Sequence, residues 1–414
     1  MNSPVIVAIG IFGISMLAIT TEKVNKTAAA LFGAMLMVVF GVVTQEKAFD
    51  YIDWNVIFLL IGMMIITGIT KRTGLFQYIA IRLAKFARGE PLAIILLLAL
   101  ATALVSAVLD NVTTVLILVP ITFLIAVELN VVPTPFVIVL AIASNVGGTA
   151  TLVGDPPNIM IGSAAGLGFV DFLANTAPVI VLILAALCLF VFVVFRKSLV
   201  VSNERKARIM AFDDSKAIED KPLLAKSLVV LGLVIGAFLF HSAVGLEPAT
   251  IALGGAALLL ILSGFHDVEA IFGEIEWTTI MFFLGLEPAT IALGGAGLLM
   301  VISGYKEVEE LFAELEWTTI IFFMGLFMIV GALVEVGVMK SLAQALLGAT
   351  AGHLKLTGFV VLWASGILSA FVDNIPFVAT MIPLIKEMSA SLGPQAVEPL
   401  WWALSLGACL GGNG

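Results

Sequence analysis

Two carboxylates stand where a charge is costly. Leu109-Asp110-Asn111-Val112-Thr113-Thr114 interrupts an apolar run from Pro91 to Val127, and Val372-Asp373-Asn374-Ile375-Pro376 repeats the pattern downstream. An ionised carboxylate at the centre of a bilayer costs roughly 2.5–3.5 kcal/mol, so a residue kept there is a functional candidate. Asp110 and Asp373 are expected to carry a proton or an ion such as sodium. Asn111 and Asn374 add amide oxygens, and Thr113 and Thr114 add hydroxyls. Two further stretches break helices with glycine and proline. One is Asn145-Val146-Gly147-Gly148-Thr149, followed by Gly154-Asp155-Pro156-Pro157-Asn158; the other is Gly411-Gly412-Asn413. Broken helices release backbone N–H and C=O groups that can coordinate an ion. The expected ion-binding set is therefore Asp110, Asn111, Thr113, Thr114, Asn145, Gly147, Gly148, Thr149, Asp155, Asn158, Asp373, Asn374, Gly411, Gly412 and Asn413. Protons and sodium compete for one carboxylate, which is the basis of antiport. A fixed carboxylate repels di- and tricarboxylates and favours a cation, a proton or a neutral solute such as arsenite.

The same residues also have structural readings. Asp110 and Asp373 suit helix N-caps, where a carboxylate meets the helix dipole, and capping does not exclude ion binding. Asp155 before Pro-Pro can shape a turn near the outer interface. Glu247 and Glu287 precede prolines and suit helix starts. Asp53-Trp54 and Glu316-Trp317 suit interface anchors. Cys409 adjoins the second broken helix, where a soft ligand could meet it, although a lone cysteine in an apolar helix normally packs. His241, His266 and His353 fall near helix ends or loops.

The elements that must hold these groups are membrane helices. The chain has 414 residues, 61% hydrophobic and 12% charged, with a mean hydropathy of +1.16. Soluble domains carry about 25% charged residues. The sequence therefore predicts an all-α polytopic membrane protein. A net charge of −9 without a basic face excludes nucleic-acid binding. Two cysteines exclude a disulfide framework or a Cys-based metal site. The start of the chain lacks a basic n-region and a cleavage site and predicts a first span.

Spans are predicted over 4–20, 28–43 and 54–70, then an amphipathic interfacial helix over 71–90. A re-entrant hairpin follows, with arms 92–108 and 115–126 and Asp110 near its tip. A span from Phe136, broken at 145–158, and one over 178–195 complete the first half. The stretch 196–226 is polar, with eight Lys/Arg, and is expected to be a mobile cytoplasmic linker. That puts the N-terminus outside. The predicted organisation is an N-terminal transporter repeat 1–195, the linker 196–226 and a C-terminal repeat 227–414, with a span over 227–241.

Two internal repeats are present. Asp53-Trp54, Gly62, Gly68, Gly74, Asp110 and Pro120 recur as Glu316-Trp317, Gly325, Gly331, Gly337, Asp373 and Pro383 at a constant offset of 263. That spacing predicts two inverted-topology repeats, each with a re-entrant hairpin and a broken helix. A shorter repeat relates 245–284 to 285–324, with 27 of 40 residues identical. The second copy keeps the long offset, so the first is the extra one, expected to be a recombination or assembly error. Trp277 to Gly304 is a single apolar run, long enough for one tilted span. One added span would flip everything downstream. Matched to the first half, Gly411-Gly412 falls midway through a broken span, which predicts truncation at Gly414.

The Asp110, Asn145 and Gly154-Asp155-Pro156-Pro157-Asn158 motifs resemble the ArsB/NhaD branch of the ion transporter superfamily, as do Phe371 to Pro376 and Gly407 to Asn413. That branch includes arsenite efflux permeases, NhaD-type sodium/proton antiporters and P protein-like chains. The resemblance implies a secondary transporter exporting arsenite or exchanging sodium for protons. The alternative is a citrate- or dicarboxylate-type symporter of the same superfamily. No phosphate-binding Gly-x-x-x-x-Gly-Lys-Ser/Thr motif occurs, so energy is expected from a proton or sodium gradient, with no cofactor. The expected partners are a small inorganic ion, the lipid bilayer, a second copy of the chain and, for an arsenite pump, a separate ATPase subunit. The expected location is a bacterial or archaeal plasma membrane.

Overall fold

The computed structural model describes residues 3–21, 23–197, 199–263 and 317–413. Among these the protein is all helical. The helices of the first half are α1 (Ser3–Thr20), α2 (Lys26–Val39), α3 (Gln45–Asp50), α4 (Trp54–Arg72), α5 (Leu75–Phe86), α6 (Pro91–Ser106), α7 (Asn111–Leu129), α8 (Thr134–Gly148), α9 (Pro156–Ala165), α10 (Phe169–Asn175) and α11 (Ala177–Phe195). After α12 (Asn203–Met210), α13 (Lys221–Val244) and α14 (Pro248–Ser263) come α15 (Trp317–Glu335), α16 (Val338–Ala349), α17 (Leu354–Ser369), α18 (Asn374–Leu392) and α19 (Pro394–Gly411). Seven described helices are long and apolar enough to cross a membrane, or nine if two bent pairs each make one span. The pairs are α9 with α10, bent by 112°, and α16 with α17, bent by 116°.

Helix boundaries follow local chemistry. Asn25 caps α2 by accepting from the N–H groups of Thr27 (2.9 Å) and Ala28 (3.2 Å). Asp220 caps α13 through Leu223 N–H at 2.8 Å. Prolines open α6, α9, α14 and α19, where a missing N–H costs nothing. Asn130 ends α7 in the left-handed region, at φ 57°.

The long-range repeat is written into these boundaries. Helices α4, α5, α6 and α7 begin at 54, 75, 91 and 111; α15, α16, α17 and α18 begin at 317, 338, 354 and 374. Each pair has equal length and the same 263-residue offset. The arms around Asp110 are therefore α6 and a full 19-residue α7, longer than the expected 115–126, with Pro120 carried inside it. The break in the next span is narrower than expected. Asn145 to Gly148 are still helical, and the chain opens only between Thr149 and Asp155. The expected linker carries α12, tied by an ion pair from Lys206 to Glu90 and by Lys85 Nζ to the Phe212 carbonyl at 3.0 Å.

The described residues form two compact units. The first takes those of Met1–Ile57, Ile79–Asp213 and Trp317–Gly414; the second takes those of Phe58–Tyr78 and Asp214–Glu316. In the first unit helices meet through small residues. A Cβ on Gly147 of α8 would strike the Ala103 backbone of α6, and one on Gly411 of α19 would strike Gly366 of α17. Such close approach is how helices associate in lipid, where water does not drive them together. In the second unit, Gly62 of α4 lies against Ala252 of α14. Most of the short repeat, including Trp277, Glu287 and His266, lies outside the described residues, as does Glu316.

Candidate functional site

All the site residues lie in the first unit. At the start of α7, Asp110 is the N-cap. Its Oδ1 accepts from the Thr113 N–H at 2.8 Å, and Thr114 Oγ1 donates to the Asp110 carbonyl at 2.9 Å. This is a capping arrangement, formed on its own helix. The next residue faces inward. Asn111 Nδ2 donates to Asn145 Oδ1 at 2.8 Å and to Asp155 Oδ1 at 3.4 Å, while its carbonyl accepts from Ser144 Oγ at 2.9 Å. Asn145 reaches this point because α8 runs on for one more turn. Its own Nδ2 donates to the Gly412 carbonyl at 3.2 Å, which brings the C-terminal half to the same place.

Asp155 is the N-cap position of α9 and is 1% exposed, so it is enclosed by protein. Its side chain does not cap the helix. The reason is in the sequence: Pro156 and Pro157 have no N–H to offer, and the Asn158 N–H is taken by the Asp155 carbonyl at 3.0 Å. One carboxylate oxygen accepts from Asn111. The other, Oδ2, is buried with no hydrogen-bond partner. The Cys409 thiol stands beside this carboxylate.

Asn158 is fully buried and fully used. Its Nδ2 donates to the carbonyls of Thr149 (3.2 Å) and Thr151 (2.9 Å), holding the non-helical segment 149–155 in shape. Its Oδ1 accepts from Ser405 Oγ at 2.7 Å and Cys409 Sγ at 3.4 Å. Thr149 Oγ1 donates back to the Asn145 carbonyl at 2.7 Å. Gly148 is packed against Gly154, where a Cβ would stand 2.5 Å from the Gly154 carbonyl oxygen.

The second tip is built differently. Asp373 caps α18 with a longer bond, Oδ1 to Ile375 N–H at 3.4 Å, and its Oδ2 pairs with Lys26 Nζ at 3.2 Å. Asn374 is half-buried beside Gly412, on which a Cβ would stand 3.2 Å from Asn374 Nδ2. Asn413 is exposed and bonds only the Leu410 carbonyl, at 2.9 Å, among the bonds described for it.

The fold thus gathers Asn111, Asn145, Thr149, Asp155 and Asn158 with Gly412, and sets Gly147 and Gly148 behind them as packing. Asp110, Thr113 and Thr114 form the adjoining cap. Ser144, Thr151, Ser405 and Lys26 complete the network and were not singled out by their spacing. Ser405 lies four residues before Cys409, one helical turn away, which is the one sequence signal that could have found it. Among the described residues no three His, Cys, Asp or Glu side chains stand close enough to hold a metal ion by themselves. A cation here would be held by Asp155 together with amide and carbonyl oxygens.

The chain matches the family described as citrate transporter over residues 16–304 and again over 288–407, the two matches overlapping inside the short repeat. An uncharacterized transporter of Mycobacterium tuberculosis is 43% identical, over 99% of this chain and 86% of its own. An uncharacterized transporter of Synechocystis is 29% identical, over 100% of this chain and 87% of its own. The P protein of Sus scrofa is 31% identical, over 99% of this chain and 53% of its own. With a membrane-helical fold, a doubled helix plan and a polar site at a helix break, the chain is a transporter and belongs to the citrate transporter family.

Proposed function

We propose that this transporter exchanges a small inorganic ion for protons, with sodium or arsenite as the exported species, and that Asp155 is the carboxylate that exchanges. The observation that carries this reading is the buried Asp155 Oδ2 without a partner, released from capping by the two prolines that follow. A buried carboxylate oxygen with no N–H or O–H partner, and only a weakly donating thiol beside it, takes either a proton or a cation. Asn111, Asn145 and the Gly412 carbonyl supply neutral oxygens nearby, which suit a hard monovalent cation or the hydroxyls of neutral arsenite. The acidic pair Asp110 and Asp373 favours the same cargoes over multivalent anions. Asp110 then contributes charge and fixes α7, while Asp373 carries the second tip. Energy comes from the ion gradient, with no cofactor.

A second reading keeps the cargo named in the family description. Citrate or a dicarboxylate would meet the N-termini of α7, α9 and α18, whose N–H groups and dipoles attract anions, and Lys26 would pair with it. The three acidic residues weigh against this reading.

The full chain, purified and reconstituted into proteoliposomes, separates the two. Sodium or arsenite gradients are expected to drive proton movement, and citrate or succinate gradients are not. Citrate-driven uptake without any response to sodium or arsenite overturns the exchange reading. We further propose that the protein sits in a plasma membrane with its N-terminus outside and 196–226 in the cytoplasm, a reading that the Lys/Arg content of 71–90 and 196–226 supports.

A further inference from the structure

The Asp373 carboxylate already holds a cation. Lys26, the first residue of α2, sets its Nζ 3.2 Å from Asp373 Oδ2 and 5.4 Å from the centroid of the Phe322 ring. The other oxygen of Asp373 reaches its helix N–H only at 3.4 Å, whereas the corresponding bond of Asp110 is 2.8 Å. Asp373 thus meets the lysine at a shorter distance than it meets its own helix. The base of the lysine is fixed. Thr27 Oγ1 donates to the Thr318 carbonyl at 2.7 Å, and Gly325 of α15 lies so close to α2 that a Cβ there would stand 2.8 Å from the Ala30 carbonyl carbon. A point charge on a flexible four-carbon stem is delivered from that base. Neither side chain is enclosed by protein, at 42% and 35% exposed. No neighbouring protein atoms therefore lock the pair shut, and the Phe322 ring offers the freed ammonium a second resting place.

We propose that Lys26 is a tethered cation standing in for a monovalent inorganic cation on Asp373, so that such a cation binds the second tip only by displacing it. The inference rests on the cation-exchange reading above. It makes Lys26 a specificity-determining residue: its local competition sets the cation concentration at which the second tip fills. The residue at the long-repeat offset from Lys26 is Ala289, so the repeat does not supply the same lysine twice.

The test follows the melting temperature of the purified full chain as sodium chloride replaces choline chloride at constant ionic strength. Wild type, Lys26→Met, Lys26→Arg and Asp373→Asn are compared, with Lys26→Gln as a second neutral variant should Lys26→Met not fold. Melting in choline alone reports folding. The half-saturating sodium concentration is expected to fall about two- to fivefold in the neutral variants, the weight of an exposed ion pair, and to stay at the wild-type value in Lys26→Arg. In the Asp373→Asn background, adding Lys26→Met is expected to change nothing further. A sodium response in the neutral variants alone also supports the proposal. If wild type responds and the neutral variants superpose on it, the role of Lys26 is overturned and the exchange reading stands. If no variant responds to sodium, the role of Lys26 is overturned, and the exchange reading is decided separately by the proteoliposome measurement.

Discussion

Two prolines decide what Asp155 can do. At a helix start an aspartate normally accepts from the N–H groups of the first turn; here those positions are Pro156 and Pro157, and the carboxylate is left with one amide partner and one bare oxygen. Asp155→Asn keeps the shape and removes the charge. Its melting temperature is expected to equal or exceed wild type, while sodium- or arsenite-driven proton movement falls to background. Retained coupling in that variant would remove Asp155 from the exchange. Asp110 presents the opposite case, a carboxylate whose Oδ1 caps its helix. Asparagine caps as well as aspartate, and alanine loses about 1 kcal/mol. Asp110→Asn is therefore expected to hold wild-type stability and Asp110→Ala to lose about that much, read from denaturation midpoints. Both are expected to lose coupling if the Asp110 charge, at the start of the helix whose next residue, Asn111, bonds Asp155, takes part in the exchange. Coupling kept in Asp110→Asn and reduced in Asp110→Ala would make Asp110 a cap alone.

At the scale of elements, much of the plan was legible. Paired Asp-Asn motifs and glycines at a fixed offset marked helices whose observed boundaries repeat at the same offset, and Asp53, Asp110 and Asp373 among the repeated positions cap the helices they precede. The break in the first half was drawn too wide, since Asn145-Val146-Gly147-Gly148 has a turn-like composition. Tertiary packing overrides it: Gly147 and Gly148 let α8 press on α6 and on Gly154, and Thr149 N–H still reaches the Asn145 carbonyl at 3.1 Å. Lys26 could not be found from spacing, because it lies 347 residues from its partner. The glycines lead to a paired prediction. Gly147→Ala drives a methyl into the Ala103 backbone, and Gly411→Ala drives one into Gly366, neither of which can turn aside. Each is expected to cost about 1–3 kcal/mol in overpacking. Gly13→Ala, in α1 with open space around it, is expected to be neutral or mildly stabilising. Thermal denaturation of the three variants in one detergent checks the contrast. An undiminished melting temperature for Gly147→Ala would show that α8 and α6 are not held at the observed distance.

At the scale of the whole chain, the doubled segment raises a question of parity. Residues 245–284 and 285–324 share a common opening, Gly-Leu-Glu-Pro-Ala-Thr, so deleting 245–284 joins Val244 to Gly285 in unbroken register. Upstream and downstream parts of the first unit are pinned together by Ser405 to Asn158, Asn145 to Gly412 and Lys26 to Asp373. Inverting everything after the repeat would break all three. The deletion is therefore expected to leave the downstream half on the same sides of the membrane, whatever path the extra copy takes. The measurement places a cysteine at Ser391, exposed at the end of α18, in a Cys188→Ser background, and labels it with a membrane-impermeant maleimide in right-side-out and everted vesicles. Cys409 is buried and stays silent. The same vesicle orientation is expected to label the full chain and the deleted chain. Labelling that switches orientation would mean that the extra copy adds an odd number of crossings. The three cross-contacts could then form in only one of the two chains, and comparing their transport would show which one carries the working site.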